Sequence, residues 1–276
     1  MNHDEPSDGQ LEFAYVQTFT AGGNPRQLAV TSKRSKALFV VNCAEDEVDR
    51  VFKTTLPDLP LIPLHELVAA LLARAAGIPV LNPCIVKVDE QSWFGMDYLT
   101  GDQKLEYSLS GPIFDEAENA RGIVYEAVCL DAWLLNPDRH DDNLLLRLEN
   151  AAKSIWRAYV IDHNKALGSD LPEAMAEKRL DKFSSDFASW VDHTTAWLHP
   201  QASWTDRVVS FTCLEKVAER IQGIPSGTID AVMQSIPASW ASGRYVEAIR
   251  SFVLSRQKAL PAILRTHRDK FPRLGL

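Results

Sequence analysis

The chain has 276 residues, 46% of them hydrophobic and 24% charged, which is ordinary for a globular protein with one large domain or two lobes. Its formal net charge of -8 argues against a protein that tracks a nucleic-acid backbone, because such proteins carry a basic stripe. The same acidic balance argues against anionic lipid, so we expect neither nucleic acid nor a membrane to be bound directly.

The chain carries no sequence signal for membrane insertion or export. Its longest candidate for a membrane span, residues 67–81, is too short and is interrupted by Arg74 and Gly77. The first residues are acidic and lack the basic and apolar regions of a signal peptide. Four scattered cysteines have neither metal nor disulfide spacing. We therefore expect buried thiols and a cytoplasmic protein.

Short apolar runs separated by turn residues open the chain. The runs cover residues 11–18, 27–31 and 37–42, and they predict three strands in a meander. Gly22 and Gly23 form the first turn, and their backbone amides could approach a phosphate. An ordinary hairpin turn is the alternative for this pair of glycines.

A helix and a strand pair are predicted next. Apolar residues recur at helical spacing from Leu64 to Ala75, and Gly77 stands where a helix commonly ends. Glu66 lies near the start of this helix, where the helix dipole alone would favour an acid. Residues 83–88 and 92–97 then predict two strands that are joined by a tight turn.

The middle of the chain carries the clearest functional pattern. An apolar helix, predicted from Phe114 to Leu135, leads into a polar loop that contains Asp138 and Asn143, five residues apart. A later apolar run ends in Asp162. A base, an amide and a second acid in this order are the layout of a phosphoryl-transfer site.

Phosphoryl transfer explains why these residue types are needed. Mg²⁺ prefers hard oxygen ligands and keeps several waters, so one carboxylate and one amide oxygen suffice. We expect Asp138 to accept the proton of the acceptor hydroxyl, and Asn143 and Asp162 to bind Mg²⁺ beside the phosphates of ATP. Polar residues also cluster in ordinary turns, so the loop gains its meaning only together with Asp162.

Three segments carry a resemblance to known proteins. Asn136-Pro-Asp-Arg-His140, Asn143-Leu-Leu-Leu146 and Val160-Ile161-Asp162 resemble the catalytic segment of the HipA-like kinases, and they are also similar to that of type II phosphatidylinositol 4-kinases. Protein kinases proper have Asp-Phe-Gly where this chain has Asp162-His163-Asn164. The net charge argues against the lipid-kinase branch.

The resemblance implies an α+β fold with the two lobes of a protein kinase. The N-lobe would be a small, antiparallel, β-rich unit with one helix, and the C-lobe would be mainly helical. We expect the N-lobe to comprise residues 1–97 and the C-lobe residues 98–276. After Asp162 the chain is predicted to be helical, with a last helix over residues 244–270 that Pro261 breaks or kinks.

The resemblance also implies that Glu66 pairs with a lysine that holds the α- and β-phosphates of ATP. The strand expected to carry this lysine ends in Asn42 instead. The remaining candidates are Lys36, Lys53 and Lys87, of which Lys53 is preferred because it is nearest in sequence to the helix.

The segment after the second predicted strand resembles the hinge between kinase lobes. Met96, Asp97 and Tyr98 are the candidate contacts for adenine, although a simple edge strand would read the same way. Around the loop, Arg139 could orient Asp138 or touch the phosphates. Lys165, three residues after Asp162, could meet a phosphate or lie on the surface, and the surface is favoured.

The function implied by the resemblance is an ATP- and Mg²⁺-dependent kinase, with serine or threonine of a protein as the acceptor and with possible autophosphorylation. An antitoxin or another operon partner is then a candidate binding partner. Asn42 favours an alternative, a pseudokinase that acts as a nucleotide-binding or regulatory module. A remote alternative is a metal-dependent phosphohydrolase, based on the dipeptide His140-Asp141.

Overall fold

The fold is described from a computed structural model, which covers residues 16–28, 38–56, 60–99, 104–106, 115, 117–136, 138–139, 143–168, 171–185, 207–271 and 273–274. Its strands are β1 (Gln17–Thr20), β2 (Arg26–Gln27), β3 (Leu38–Asn42), β4 (Asp49–Lys53), β5 (Pro83–Val88), β6 (Gln91–Asp97), β7 (Lys104–Glu106), β8 (Leu144–Asn150) and β9 (Ile155–Val160). Its helices are α1 (Ile62–Ala75), α2 (Ala120–Leu134), α3 (Glu173–Ser185), α4 (Phe211–Gln222), α5 (Ser226–Gln234) and α6 (Gly243–Thr266).

Two sheets hold the strands. The larger sheet has the order β1-β5-β6-β4-β3-β2, and all of its pairings are antiparallel except the parallel pair β1 and β5. The smaller sheet, β7-β8-β9, is antiparallel throughout. Helix α1 packs against β5 and β6, whereas the other helices gather around α2 and α6. The expected α+β arrangement is confirmed, and the lobe boundary at residue 97 stays a prediction.

The predicted meander at the start of the chain is wrong in its pairing. β1 does not pair with β2; it lies beside β5, with Gln17 opposite Cys84 and Thr20 opposite Lys87. The side chain that β1 buries, Phe19, belongs to a small apolar cluster with Cys84 on β5. This burial explains the pairing. Residues 11–15 and 29–37, parts of the predicted runs, lie outside the described residues.

Strand β4 is an element that no apolar alternation predicts. Its sequence is Asp-Arg-Val-Phe-Lys, with charged residues at both ends, yet Arg50 and Lys53 are buried there. Arg50 donates to the Asp46 carboxylate at 2.7 Å and lies 3.3 Å from the centre of the Phe19 ring. These partners make burial of the charge tolerable. β4 continues the hairpin that begins with β3 and brings Lys53 to the centre of the sheet.

Helix α1 lies within the core. Every residue from Ile62 to Ala73 is buried, because the helix is apolar around most of its circumference and packs between the larger sheet and α5. The polar exceptions in this stretch are His65 and Glu66. Pro63 stands in its first turn, where a proline loses no helical hydrogen bond. Gly77, with φ of +67°, ends it as predicted. Its His65 imidazole lies 2.8 Å from the hydroxyl of Tyr245 on α6.

Helix α6 supports the end of α2. The Trp133 indole N–H of α2 donates to the Val253 carbonyl of α6 at 2.9 Å. The Arg256 guanidinium of α6 donates to the carbonyls of Ala132 and of Trp133, the latter at 2.8 Å. These carbonyls belong to the last turn of α2, which has no further helical N–H groups to satisfy them. The position from which the polar loop starts is therefore fixed by α6.

Pro261 does not break the last helix, so of the two predicted effects, a break and a kink, the break is wrong and the kink stays a prediction. Helix α6 runs through Pro261 to Thr266, and residues 268–270 form a separate 3₁₀ turn. Leu260, Ile263 and Leu264 on either side of the proline are buried, so packing holds the helix together across the lost hydrogen bond. Among the described residues, no helix is both long and apolar enough to span a bilayer.

Replacing Gly95 by alanine is expected to destabilise the larger sheet by about 1–3 kcal/mol. A Cβ at Gly95 would lie 2.5 Å from Val86 Cγ2 and 3.0 Å from Cys84 Sγ, so the neighbouring strand would have to move. The matched control is Gly122→Ala in α2, where nothing lies within 4 Å of the new Cβ. That change should stabilise the protein by about 0.5–1 kcal/mol. Urea unfolding of both variants compares the two; equal midpoints would contradict this account of Gly95.

Candidate active site

The polar loop starts at the end of α2, where Leu135 adopts a left-handed conformation with φ of +52° and ends the helix. The Asn136 side chain then donates to Asp131 Oδ1 at 2.9 Å and accepts from the Asp138 backbone N–H at 3.2 Å. This local turn presents Asp138 at a defined place beside the helix end.

Arg139 ties the loop to the strand that follows. Its guanidinium makes a two-pronged ion pair with Asp131, with distances of 2.9 and 3.0 Å, and both side chains are fully buried. It also donates to the backbone carbonyl of Asn143 at 3.0 Å and to that of Ile161 at 2.5 Å. A single buried side chain thus fixes the backbone next to both expected metal ligands.

Asp138 and Asn143 are adjacent in the structure. The Asn143 amide donates to the Asp138 backbone carbonyl at 2.8 Å. No hydrogen bond within the described part of the chain engages Asn143 Oδ1. The Asp138 carboxylate lies 2.9 Å from the Lys165 ammonium, and these side chains are 16% and 24% exposed. Lys165 therefore lies beside the proposed base, whereas the sequence favoured a position on the surface.

Asp162 joins this group from the end of β9. It has a φ of +58°, a left-handed conformation that aspartate tolerates better than most residues and that is common at functional sites. Its Oδ1 lies 2.8 Å from the ammonium of Lys53, and Lys53 also pairs with Glu66 on α1. The other Glu66 oxygen accepts from the His163 backbone N–H at 3.0 Å. Lys53 is thus the point where the larger sheet, α1 and the segment after β9 meet.

The charges of this cluster reinforce one another. Burial alone would lower the pKa of Lys53, but the carboxylates of Asp162 and Glu66 hold it above its usual value. Burial alone would raise the pKa of Asp162, but Lys53 holds it below its usual value. The pKa of His163 lies well below its usual value because of burial and of the nearby charges of Arg139 and Lys53. The site therefore contains an ammonium, a carboxylate and a neutral imidazole at neutral pH.

Asn143 and Asp162 have the ligand chemistry that Mg²⁺ requires. An amide oxygen and a carboxylate are hard oxygen donors, and Mg²⁺ needs few protein ligands because it keeps waters. Within the described residues, no three His, Cys, Asp or Glu side chains form a group suited to a metal. His140 and Asp141, the basis of the phosphohydrolase alternative, lie outside the described residues, as do Lys36 and Pro137.

A cavity of about 130 Å³ opens beside this cluster. Lys53 and Asp162 line it, together with the expected hinge residues Met96, Asp97 and Tyr98. Its other lining residues are apolar: Leu28, Leu38, Val51, Leu81, Leu99, Leu145 and Ile161. A narrow apolar slot that leads to a lysine and an acid suits a planar aromatic base attached to phosphates.

Two expected contacts lie elsewhere. Gly22 donates its backbone N–H to the Asn42 carbonyl at 2.8 Å, and neither Gly22 nor Gly23 lines the cavity. The hairpin alternative is wrong as well, because the strands on either side of this turn, β1 and β2, do not pair with each other. Asn42 pairs with Asp49, whereas Lys53 pairs with Leu38, so Asn42 lies at the opposite end of the β3–β4 hairpin from Lys53.

Asn42 therefore does not stand in the place of the missing lysine. Its side chain is exposed and donates to the Glu47 carbonyl at 2.8 Å and to Asp49 at 3.1 Å, which stabilises the turn of the hairpin. Lys87 is exposed on β5 and does not line the cavity. The pseudokinase interpretation loses the observation on which it depended.

The sequence also contains a signal for the importance of Asp131, which was not among the predicted site residues. Asp131 lies within the apolar helix α2, between buried neighbours such as Leu130 and Ala132. A carboxylate in such a place requires a partner, and the arginine eight residues later is that partner. Arg139 does not contact the Asp138 carboxylate in any described hydrogen bond, so the first of its two expected roles is not seen, and the second, contact with phosphates, stays a prediction.

No protein-family model matches the sequence, and the curated proteins compared with it give no match either. Solved structures do match the fold. The crystal structure of CtkA, a proinflammatory kinase from Helicobacter pylori, is similar over 93% of this chain and 99% of its own, with a TM-score of 0.60 and 14% sequence identity. HipA from Shewanella oneidensis MR-1, in a complex with HipB and operator DNA, is similar over 90% of this chain and 68% of its own, with a TM-score of 0.45 and 14% identity.

The likeness to CtkA shows that this chain has a kinase-like α+β fold, as the three quoted segments imply. An identity of 14% establishes the fold and nothing finer, because one fold supports many functions.

Proposed function

We propose that this protein is an ATP- and Mg²⁺-dependent kinase that transfers the γ-phosphoryl group of ATP to a serine or threonine hydroxyl of a protein. The observation that carries the proposal is the position of Lys53, which lies between Glu66 and Asp162 and lines an otherwise mainly apolar cavity. A buried ammonium that two carboxylates hold in this way is poised to meet phosphates once a nucleotide fills the slot.

Each residue of the cluster then has one task. Lys53 contacts the α- and β-phosphates, and Glu66 keeps its ammonium in position. Asp138 accepts the proton of the acceptor hydroxyl as its oxygen attacks the γ-phosphorus. Adenine lies in the slot against Leu145 and Met96, with the backbone at Asp97 and Tyr98 within its reach. The nucleotide is thereby enclosed between residues 1–97 and residues 98–276, the two proposed lobes.

Asn143 and Asp162 are the residues that would hold Mg²⁺. When bound there, the ion neutralises negative charge on the phosphates. The protein's own contribution is to fix both ligands by the backbone, since Arg139 binds the carbonyls of Asn143 and Ile161. This preorganisation means that little rearrangement is needed when Mg-ATP arrives.

We prefer a protein acceptor over a lipid acceptor because the chain carries a net negative charge. The net charge of -8 would repel an anionic membrane surface. A hydroxyl of the chain itself can serve as the first acceptor, so autophosphorylation belongs to the proposal. The antitoxin or operon partner that the resemblance implies stays a prediction.

The proposal is tested by incubation of the purified protein with γ-labelled ATP and Mg²⁺, alone and with a cell extract. We expect label on protein, with phosphoserine or phosphothreonine after acid hydrolysis, and complete loss of labelling when a chelator removes Mg²⁺. Asp269→Asn serves as a control, because this acid is largely exposed and pairs with Lys270. Binding of ATP with no transfer to any acceptor would contradict the kinase and revive the pseudokinase.

A further inference from the structure

A second lysine lies in the candidate site. Lys165 places its ammonium 2.9 Å from the Asp138 carboxylate, although the two residues come from different segments of the C-lobe. The loop itself has no lysine between Asp138 and Asn143, and its arginine, Arg139, is fully buried against Asp131 and backbone carbonyls. Within the described part of the site, Lys165 is thus the cation that stands next to the proposed base.

The backbone that carries Lys165 is well supported. The Ala166 N–H donates to the His163 carbonyl at 2.9 Å, and Ala166 and Leu167 on its C-terminal side are buried in the main core. The His163 backbone N–H in turn donates to Glu66. Lys165 is therefore held by the same turn that holds Asp162 against Lys53, which distinguishes it from a lysine on a free surface.

We propose that Lys165 is a catalytic residue whose ammonium contacts the γ-phosphoryl group of bound ATP. This proposal rests on the proposed kinase function. The base must lie next to the attacking hydroxyl, and that hydroxyl must lie next to the γ-phosphorus. A cation that touches Asp138 is therefore within one side chain's reach of the γ-phosphate oxygens. Lys53 is engaged at the other end of the triphosphate.

The step balances without a further reactant. The acceptor oxygen forms a bond to the γ-phosphorus, the bond from that phosphorus to the oxygen between the β- and γ-phosphates breaks, and ADP leaves. The hydroxyl proton passes to the Asp138 carboxylate. Lys165 keeps its protons throughout and neutralises charge on the transferring group. Without nucleotide, Lys165 pairs with Asp138; with ATP bound, the γ-phosphate competes for the ammonium and leaves the carboxylate able to accept the proton.

Lys165→Met should lower the affinity for Mg-ATP but not the affinity for Mg-ADP. We expect its kcat to fall by about 100-fold, the loss typical of a removed transition-state donor, and its Mg-ATP affinity to fall by roughly tenfold. Mg-ADP affinity should equal that of the wild type, because ADP has no γ-phosphate. Lys165→Arg, which keeps the charge, should recover part of both losses. Lys216→Met on the exposed face of α4 is the control and should change neither nucleotide affinity nor kcat.

The outcomes distinguish this inference from the proposed function. Suppose that the wild type transfers phosphate, and that Lys165→Met either lowers the affinities for ATP and ADP equally or changes neither. Lys165 then has no γ-phosphate contact, and the kinase proposal stands. If the wild type binds ATP without transferring it, the kinase proposal fails, and the ATP-to-ADP affinity ratio of Lys165→Met still decides the contact. A wild type that binds neither nucleotide overturns both. Thermal unfolding of all variants shows whether a loss reflects misfolding.

Discussion

Asp138→Asn is expected to lower kcat for phosphoryl transfer by about 10²- to 10⁴-fold, the usual contribution of a positioned general base. The amide is nearly the same size as the carboxylate but cannot take up the proton of the acceptor hydroxyl. The bond from the Asn143 amide to the backbone carbonyl of residue 138 does not involve the altered side chain, so the loop should keep its shape. Single-turnover transfer measures the rate, and fluorescence titration measures Mg-ATP affinity.

Mg-ATP affinity of this variant should not fall, because Lys53, Glu66 and Asp162 are untouched, and it should rise if the γ-phosphate competes with Asp138 for Lys165 as proposed. The control Asp269→Asn makes the same change at an exposed aspartate, and it should alter neither the transfer rate nor the Mg-ATP affinity. Transfer at the wild-type rate in Asp138→Asn would remove Asp138 as the base. A loss of nucleotide binding instead would mean that the charge of Asp138 serves the phosphates or the metal.

Asp131→Ala is expected to destabilise the protein by roughly 3–5 kcal/mol, the range found when one partner of a buried ion pair is removed. Arg139 would be left charged with no exposed atoms, and its remaining partners would be two backbone carbonyls and the neutral His163 imidazole, none of which carries a negative charge. Since those carbonyls belong to Asn143 and Ile161, the damage should spread to the segments that carry both proposed metal ligands. Chemical denaturation measures the free energy of unfolding of this variant and of the wild type.

Asp230→Ala is the matched control for this prediction. It removes a carboxylate from an ion pair with Arg250 whose members are about one-third exposed, and it should cost no more than about 1 kcal/mol. The double variant Asp131→Leu, Arg139→Met removes both charges and should be more stable than Asp131→Ala alone. If Asp131→Ala and Asp230→Ala lose similar stability, the buried pair does not hold the loop as described.

The sequence predicted those helices and strands whose position depends on nearby residues alone. Helix α1 follows from its apolar periodicity and from Gly77, and β5 and β6 follow from two apolar runs with a tight turn between them. Asp138, Asn143 and Asp162 were predicted from the chemistry of a base and two metal ligands, because Asp138 and Asn143 lie in the loop between an apolar helix and an apolar strand, and Asp162 follows the next strand. The structure links Asn143 to the Asp138 carbonyl, the Asn143 carbonyl to the Ile161 N–H, and Asp162 to Lys53. Their convergence on one metal ion stays a prediction.

Features that depend on distant partners were not predictable in this way. The parallel pairing of β1 with β5 joins segments more than 60 residues apart, and nothing within β1 specifies it. Strand β4 was missed because its charged residues become buried only through Asp46 and Glu66. Lys165 looked like a surface lysine because its partner, Asp138, comes from another segment. In each case the burial or the pairing is decided by a residue that sequence periodicity does not register.

The support that α6 gives to α2 has a consequence for biosynthesis. The indole N–H of Trp133 and the carbonyl that accepts its hydrogen bond are 120 residues apart in the chain. Once a ribosome has translated Lys165 but has not yet reached Gly243, the nascent polypeptide contains every proposed catalytic side chain but not the helix that anchors them. The site should therefore become competent only late in synthesis, and nascent chains interrupted before α6 should be inactive however complete their catalytic residues are.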